Sequence, residues 1–205
     1  MAQGTENNPG LILKNLLSEV SYRTIYPPYN VQNIDKDYFY VGKIDSSIKN
    51  AVLRANFITL NEDEKYVSDK SIFQSQFSSE VFFSIANLPL SRIADGTSVG
   101  ALIFGVSGVP ANSHYQSMQS IYIATYDVHS SSIKFKDVLL VERRCCEGWM
   151  IYNRTCVIYG QDKIELKIAY IPAKDEVEEL GSELIRMASI SAKGEITFVE
   201  VPRKK

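Results

Sequence analysis

The chain has 205 residues, of which 45% are hydrophobic, and its 22 Lys and Arg against 24 Asp and Glu give a formal net charge of −2. This length and apolar content suit one domain with a substantial core and exclude wholesale disorder. The near-neutral charge gives no bulk reason to expect nucleic-acid or membrane binding, so either would need a local patch. No apolar run approaches the roughly 20 residues of a membrane-spanning helix. The N-terminus also lacks a secretion signal, and we therefore expect a soluble protein made in a reducing compartment.

The first 32 residues are predicted to form a flexible leader, and residues 33–205 a folded domain. The leader contains a short amphipathic helix and the segment Tyr26-Pro27-Pro28-Tyr29. That segment is extended, because proline fixes its own φ and restricts the residue before it. It suits a linear motif for a proline-reading domain, and it equally suits an ordinary extended entry to the first strand.

Two stretches have apolar residues at helical spacing, which predicts helices over about 69–88 and 174–188. The second also has acidic residues in its first two turns, where the helix dipole favours them. The apolar positions of the first are Phe73, Phe77, Val81, Ile85 and Leu88, and those of the second are Val177, Leu180, Leu184, Ile185 and Ala188.

The other apolar patterns predict strands. Val99–Val106 is an unbroken apolar run that suits a strand buried on both faces, and Ile121–Tyr126 alternates like a half-buried partner. We expect these two to form the central pair of a sheet, joined by an exposed loop over Ser107–Gln119. Further strands are expected at 38–41, 51–60, 133–141, 149–158, 163–170 and 196–201. The predicted fold is therefore a single α+β domain, a mostly antiparallel sheet flanked by two helices.

The glycines of the central pair resemble parts of two catalytic motifs. Gly100 and Gly105 are spaced like the two glycines of a phosphate-binding loop, but the lysine that would reach the phosphates is absent. Gly105 and Ser107 resemble a nucleophile elbow, but its closing glycine is replaced by Val109. Neither motif is complete.

The three cysteines do not predict a metal site or a disulfide framework. Cys145 and Cys146 are adjacent, Cys156 follows at a distance, and no histidine lies near them in the sequence. Small buried hydrophobic side chains are the favoured interpretation. We therefore predict a protein that is not an enzyme and that uses no catalytic residue, metal, cofactor or small-molecule substrate.

Local basic residues are candidates for contact with phosphates or anionic lipid head groups, and a solvated protein surface is the alternative explanation. They are Arg143, Arg144, Lys163, Lys167, Arg203, Lys204 and Lys205.

Three short motifs occur along the chain in an order known from one viral family. They are Pro27-Pro28-Tyr29 followed by residues 34–39, the apolar strand 101–106 with Ser107-Gly108-Val109-Pro110, and residues 164–168 followed by Asp175-Glu176. Over roughly residues 25–200 the chain thus resembles the matrix proteins of rhabdoviruses.

The resemblance implies a viral structural protein that self-associates, condenses the ribonucleoprotein and links it to the membrane during virion assembly and budding. Its partners would be other copies of itself, the viral nucleocapsid and, peripherally, anionic membrane. Its location would be the virion and the host-cell cytoplasm at the inner face of the membrane, with a nuclear fraction compatible with this role. The self-association loop of the family would correspond to Val109, Pro110, His114, Tyr115 and Met118.

Two features depart from the family pattern. Tyr29 follows Pro28 directly, whereas the family's budding motif has one residue between them, and the basic N-terminal arm of many members is missing. Both departures fit a distant, plant-infecting branch. A plant-virus movement protein, or another β-rich module that binds nucleic acid, remains the alternative function, and cooperative binding to single strands would distinguish it.

Overall fold

The computed structural model describes residues 23–33, 55, 81–108, 117–128, 133–146, 152–170 and 183–199. Within these ranges 10 strands belong to one sheet. They are β1 (Arg23–Thr24), β2 (Tyr29–Asn30), β3 (Val81–Asn87), β4 (Val99–Gly108), β5 (Ser117–Val128), β6 (Ile133–Cys146), β7 (Tyr152–Gly160), β8 (Lys163–Tyr170), β9 (Glu183–Ile190) and β10 (Ile196–Val199). A 3-10 turn, Val31–Asn33, follows β2.

From β3 to β10 each strand lies antiparallel to the next one in the chain. β1 adds to β3 in parallel at one edge. β6 and β7 are paired at Arg143 and Arg154 and then diverge. Farther along β7, its pairing partner is β2, with Tyr29 opposite Ile158. The sheet thus divides into two halves, β3–β6 and β7–β10.

The core lies between these two halves. Both contribute alternate apolar side chains to it, which is what a half-buried antiparallel strand requires. Ile25 and Val31 join this core from the segment around β2, and Val31 is 0% exposed. A coiled sheet with its halves packed face to face explains how all these side chains meet. Strand residues in the cluster are Ala86, Ala101, Ile103, Ile121, Ile123, Leu139, Val141, Cys156, Ile158, Ile164, Leu166, Ala188 and Ile190.

The central pair predicted from the sequence is confirmed, since β4 and β5 are neighbours in register from Val99 opposite Asp127 onward. β4 is buried on both faces, as expected. The half-buried character predicted for β5 is wrong, because Tyr122 and Ala124 are buried as fully as Ile123. Tyr122 stacks on Phe104 with ring centroids 5.2 Å apart. The tyrosine rings were taken for outward positions, yet a tyrosine ring packs well in a core.

The two flanking helices of the predicted α+β fold are wrong wherever the structure describes them. Val81–Asn87, at the end of the predicted helix 69–88, is strand β3, and Glu183–Ile190, at the end of 174–188, is strand β9. Residues spaced four apart lie on the same face in a strand as well as in a helix. This spacing therefore does not distinguish a strand from a helix. Residues 69–80 and 171–182 lie outside the described residues.

The other strand predictions have mixed outcomes. The expected strands at 133–141, 149–158, 163–170 and 196–201 correspond to β6, β7, β8 and β10. The candidate at 38–41 lies outside the described residues, as does all of 51–60 except Ala55, which is buried and helical rather than extended. Residues 23–33 pack on the sheet, and the domain boundary at residue 33 stays a prediction.

The turn between β9 and β10 docks on the opposite half of the sheet. Thr125 Oγ donates a hydrogen bond to the carbonyl oxygen of Gly194, and the Ile196 amide donates to Asp137 Oδ2 at 2.9 Å. Gly194 has a φ of 83°, and a Cβ there would stand 2.8 Å from Cγ1 of Val99. The turn therefore needs glycine both for its conformation and for its close approach to β4.

Candidate interaction surface

On one side of the half of the sheet formed by β7 to β10, the described side chains reach solvent. Side chains on this side are half-buried or exposed, whereas the alternate ones, such as Ile164 and Leu166, are buried in the core. We call this side the outer face. Its residues are Thr155, Val157, Tyr159, Lys163, Glu165, Lys167, Ile185, Met187, Ser189 and Thr197.

The strand registers arrange the outer face in rows. In one row Lys167 stands between Thr155 and Ile185. In the next row Glu165 stands between Val157 and Met187. Successive rows are about 6.7 Å apart, because outward residues are two positions apart along a strand.

The third row contains Tyr159 and Lys163. The Lys163 ammonium lies 4.5 Å from the centroid of the Tyr159 ring, within the range of a cation–π contact. Tyr159 is 44% exposed and Ile185, two rows away, is 43% exposed. The outer face therefore combines charges that alternate along β8 with large exposed apolar groups on both sides, a combination typical of contact surfaces.

The structure separates the basic residues that the sequence grouped together. Lys163 and Lys167 are both exposed on the outer face. Arg143 is instead 0% exposed, and its Nε donates to Ser120 Oγ at 3.1 Å. Arg144 lies in β6, but its side chain is outside the described part of the structure. Residues 203–205 lie outside it as well.

The proline-tyrosine segment is partly built into the fold. Tyr26 is 75% exposed, and a cis peptide bond joins Pro27 to Pro28. Tyr29 is half-buried against the core cluster, with its backbone paired to β7. A proline-reading domain binds a separate extended segment, so capture of Tyr29 would require β2 to leave the sheet.

Most of the predicted self-association loop lies outside the described residues, including Val109, Pro110, His114 and Tyr115. Met118 belongs to β5, with its backbone opposite Cys145 of β6. A role for this loop stays a prediction.

A buried charged cluster lies where β6 and β7 diverge. Glu142, Arg143 and Arg154 are 1%, 0% and 0% exposed. A charged group in an interior requires a polar partner, and Arg143 has one in Ser120 Oγ. We had not predicted the cluster, although Arg154 shares the strand face of Cys156 and Ile158, which is the signal that places it inward.

Cys156 has a free thiol that is buried in the same region of the core. Burial raises its pKa far above the ordinary value of 9.0, the Arg154 charge opposes that shift, and Glu142 and Glu165 add to it. The thiol is therefore protonated at neutral pH and is a poor nucleophile.

Raising the pH should destabilise the protein through Cys156. The folded-state pKa lies above the unfolded one, so the stabilisation is complete below the unfolded pKa and is lost as pH rises beyond it. Between pH 8 and pH 10.5 the free energy of unfolding should fall about 2 kcal/mol further in the wild type than in Cys156→Ala. Urea unfolding at both pH values measures this difference, and equal losses in the two proteins would contradict it.

Within the described ranges, no group of three or more His, Cys, Asp or Glu is arranged to hold a metal ion. No helix among these residues has the length and apolar character needed to cross a bilayer.

No protein-family model, curated protein or solved structure matches the chain. Its function is therefore argued from its own residues.

Proposed function

We propose that the protein is a non-enzymatic structural protein that functions by self-association. Following the resemblance to rhabdovirus matrix proteins, its role is to condense the viral ribonucleoprotein and to connect it to the inner face of the host membrane during virion assembly. The observation that supports self-association is the outer face, where Tyr159 and Ile185 expose apolar surface on an open sheet. A soluble domain that leaves such a face open gains by covering it with a partner.

The matrix role rests on sequence motifs, because Val81–Asn87 and Glu183–Ile190, which the expected α+β fold placed in helices, are strands. The motifs that support it are the proline-tyrosine segment, the apolar strand β4 and the alternating strand β8. Contact with anionic membrane would fall to the basic residues Arg203, Lys204 and Lys205.

Sedimentation velocity over a wide concentration range tests self-association, and we expect the sedimentation coefficient to rise with concentration. Co-sedimentation with phosphatidylserine vesicles, and not with neutral ones, is expected to weaken as ionic strength rises. A protein that stays monomeric at every concentration and binds neither kind of vesicle would contradict this proposal.

The second candidate function is a β-rich module that binds single-stranded nucleic acid, such as a movement protein. The observation in its favour is the exposed Tyr159 ring beside Lys163, since aromatic rings on an open sheet stack with bases while lysines contact phosphates. Under this alternative, Tyr159→Ala should weaken binding to single-stranded RNA by roughly 5- to 150-fold, as loss of one stacked base does. Fluorescence anisotropy measures the affinity, with Ile93→Ala as a control because Ile93 is exposed in the loop between β3 and β4.

A further inference from the structure

We infer that the outer face packs against the outer face of a second copy of this chain. The two copies are related by a two-fold axis that lies in the plane of the interface and runs across the strands, at right angles to them. The inference rests on the proposed self-association and names the surface that would carry it. Three features of the outer face support it: the order of its charges, the position of its apolar groups and the acidic residue at its centre.

The order of charges makes the outer face complementary to itself. In a two-fold interface the same patch of both subunits meets, and a face-to-face arrangement lays β8 antiparallel over the second copy's β8. With the axis between the rows of Lys167 and Glu165, each Lys167 faces the Glu165 of the other copy. Two ion pairs then form by symmetry.

The same alternation limits the register to two possibilities. Moving the axis by one row, to lie between Glu165 and Lys163, again places opposite charges face to face. An axis that lies on the Glu165 row instead brings Glu165 against Glu165 and Lys163 against Lys167. Like charges facing each other cost several kcal/mol, so these intermediate registers are excluded.

The apolar groups beside Lys167 and Glu165 are covered in the same arrangement. An axis perpendicular to the strands stacks each strand on its own equivalent, so β9 lies over the second copy's β9. Ile185, which is 43% exposed, then packs on the Met187 of the other copy. On β7 the same step brings Val157 over the other copy's Thr155. The ion pairs are thus flanked on both sides by side chains that shield them from water, where they count most.

The central carboxylate favours a second copy over a polyanion as the occupant. Glu165 lies between Lys163 and Lys167 on β8 and would repel a phosphate that bridged the two ammonium groups. Another copy of the outer face instead offers an opposite charge to both Glu165 and Lys167, which a polyanion does not.

Glu165→Lys tests the inference, because it makes β8 uniformly basic. In sedimentation equilibrium of the full chain we expect the dissociation constant of the dimer to rise on the order of 100-fold, through like-charge repulsion. The double variant Glu165→Lys with Lys167→Glu should restore dimerisation, since position 167 then faces an opposite charge at position 165 again. Glu195→Lys makes the same charge change at an exposed turn residue outside the outer face and should leave dimerisation unchanged.

The outcomes separate the surface from the function. If the wild type self-associates and Glu165→Lys associates equally well, the outer face is not the interface, while self-association stands. A double variant that fails to recover contradicts the ion-pair register. A wild type that remains monomeric overturns both proposals. If Glu165→Lys is not folded by circular dichroism, Glu165→Gln serves instead, with weakening on the order of 10-fold expected from the lost ion pairs.

The same variant distinguishes a polyanion surface. If the outer face bound single-stranded RNA or phosphatidylserine vesicles, Glu165→Lys would add a favourable charge and tighten that binding. Tighter binding together with unchanged self-association would overturn the inference. Weaker self-association without gain in either ligand supports it.

Discussion

Replacing Gly100 by alanine should lower the free energy of unfolding by about 3 kcal/mol, the upper part of the range for overpacked cores. Tyr126 lies directly opposite Gly100 on β5, and its ring covers the glycine. A Cβ at position 100 would stand 2.8 Å from Cε2 of Tyr126 and nearer still to Cζ and the hydroxyl oxygen. The ring is only 8% exposed, so it has little room to move.

A double-mutant cycle isolates this contact. Tyr126→Ala alone should cost about 3–5 kcal/mol through the lost burial of the ring. In that background Gly100→Ala should cost nothing or stabilise, because the clash is gone and glycine in a strand carries an entropic penalty of roughly 0.5–1 kcal/mol. Urea unfolding of the four proteins gives the coupling free energy.

Gly160→Ala is the matched control. Gly160 also lies in a strand, β7, and a Cβ there would meet nothing within 4 Å. Its substitution should change stability by less than about 1 kcal/mol. If Gly100→Ala costs the same with and without the Tyr126 ring, the ring is not what requires glycine at position 100.

Gly100 also shows where sequence reasoning stops. In the sequence its spacing from Gly105 resembled a phosphate-binding loop, while its structural partner, Tyr126, lies across the strand pair. Coverage of a strand glycine by an aromatic ring on the next strand is a known way to fix register. Local pattern predicts that the two strands exist, but the register that joins these residues depends on the packing of both.

The strands that were predicted correctly have an environment that their own residues reveal. β8 alternates because Ile164 and Leu166 are buried while Lys163, Glu165 and Lys167 are not. β4 is continuously apolar because both of its faces are covered. In each case burial of a face repeats with the period of the strand, so the pattern is visible in a single sequence.

β3 and β9 were mistaken for helices for one physical reason. Val81 and Ile85, like Leu184 and Ala188, are four residues apart, a spacing that keeps side chains together in both structures. In β9, Arg186 is only half-buried and Ile185 is exposed. The polarity of the side chains therefore does not indicate which side of the strand faces the core. The neighbours of these strands in the sheet decided the outcome, and propensity alone did not.

The candidate surface was visible only in part. The alternating charges of β8 and their outward direction follow from the sequence. Tyr159 and Ile185 join them through the registers of β7 and β9, which link distant segments of the chain. Arg143 reads as a surface residue in the sequence but is buried beside Ser120, because the strand turns it into the interior.

Replacing Gln161 by leucine should destabilise the protein by about 3–4 kcal/mol, since it removes the hydrogen bonds that this buried amide makes to the backbone of two loops. Gln161 is 5% exposed. Its Oε1 accepts a hydrogen bond from the Arg92 amide at 2.9 Å, and its Nε2 donates to the Arg92 carbonyl oxygen at 2.9 Å and to that of Ser191 at 3.3 Å. One amide thereby holds together the β3–β4 loop, the β7–β8 turn and the β9–β10 turn.

Asp162→Asn is the control for this position. Asp162 is the next residue and forms an ion pair with Arg92 at 3.0 Å, but the two side chains are 58% and 71% exposed. Exposed pairs of this kind contribute little, so the free energy of unfolding should change by less than about 1 kcal/mol. Equal losses in Gln161→Leu and Asp162→Asn would show that the buried amide has no special role.

Gln161→Glu makes the same contact dependent on pH. A carboxylate there still accepts from the Arg92 amide, but its second oxygen faces the carbonyl oxygens of Arg92 and Ser191, which repel it. Burial and this repulsion raise the pKa of the introduced carboxyl above the value of about 4.3 that it has in the unfolded chain. Because the folded-state pKa is the higher one, the stability of the variant is present below the unfolded pKa and is lost as pH rises through the folded one.

Urea unfolding of Gln161→Glu and the wild type at pH 4 and pH 7 tests this directly. The protonated carboxyl can donate where the amide donated, so the variant should approach wild-type stability at pH 4. At pH 7 it should be less stable by about 3 kcal/mol, the cost of a buried group left without its hydrogen bond. Comparison with the wild type at each pH removes the titration of the other carboxylates. A difference between the two proteins that is the same at both pH values would mean that Nε2 of Gln161 does not hold the loops together.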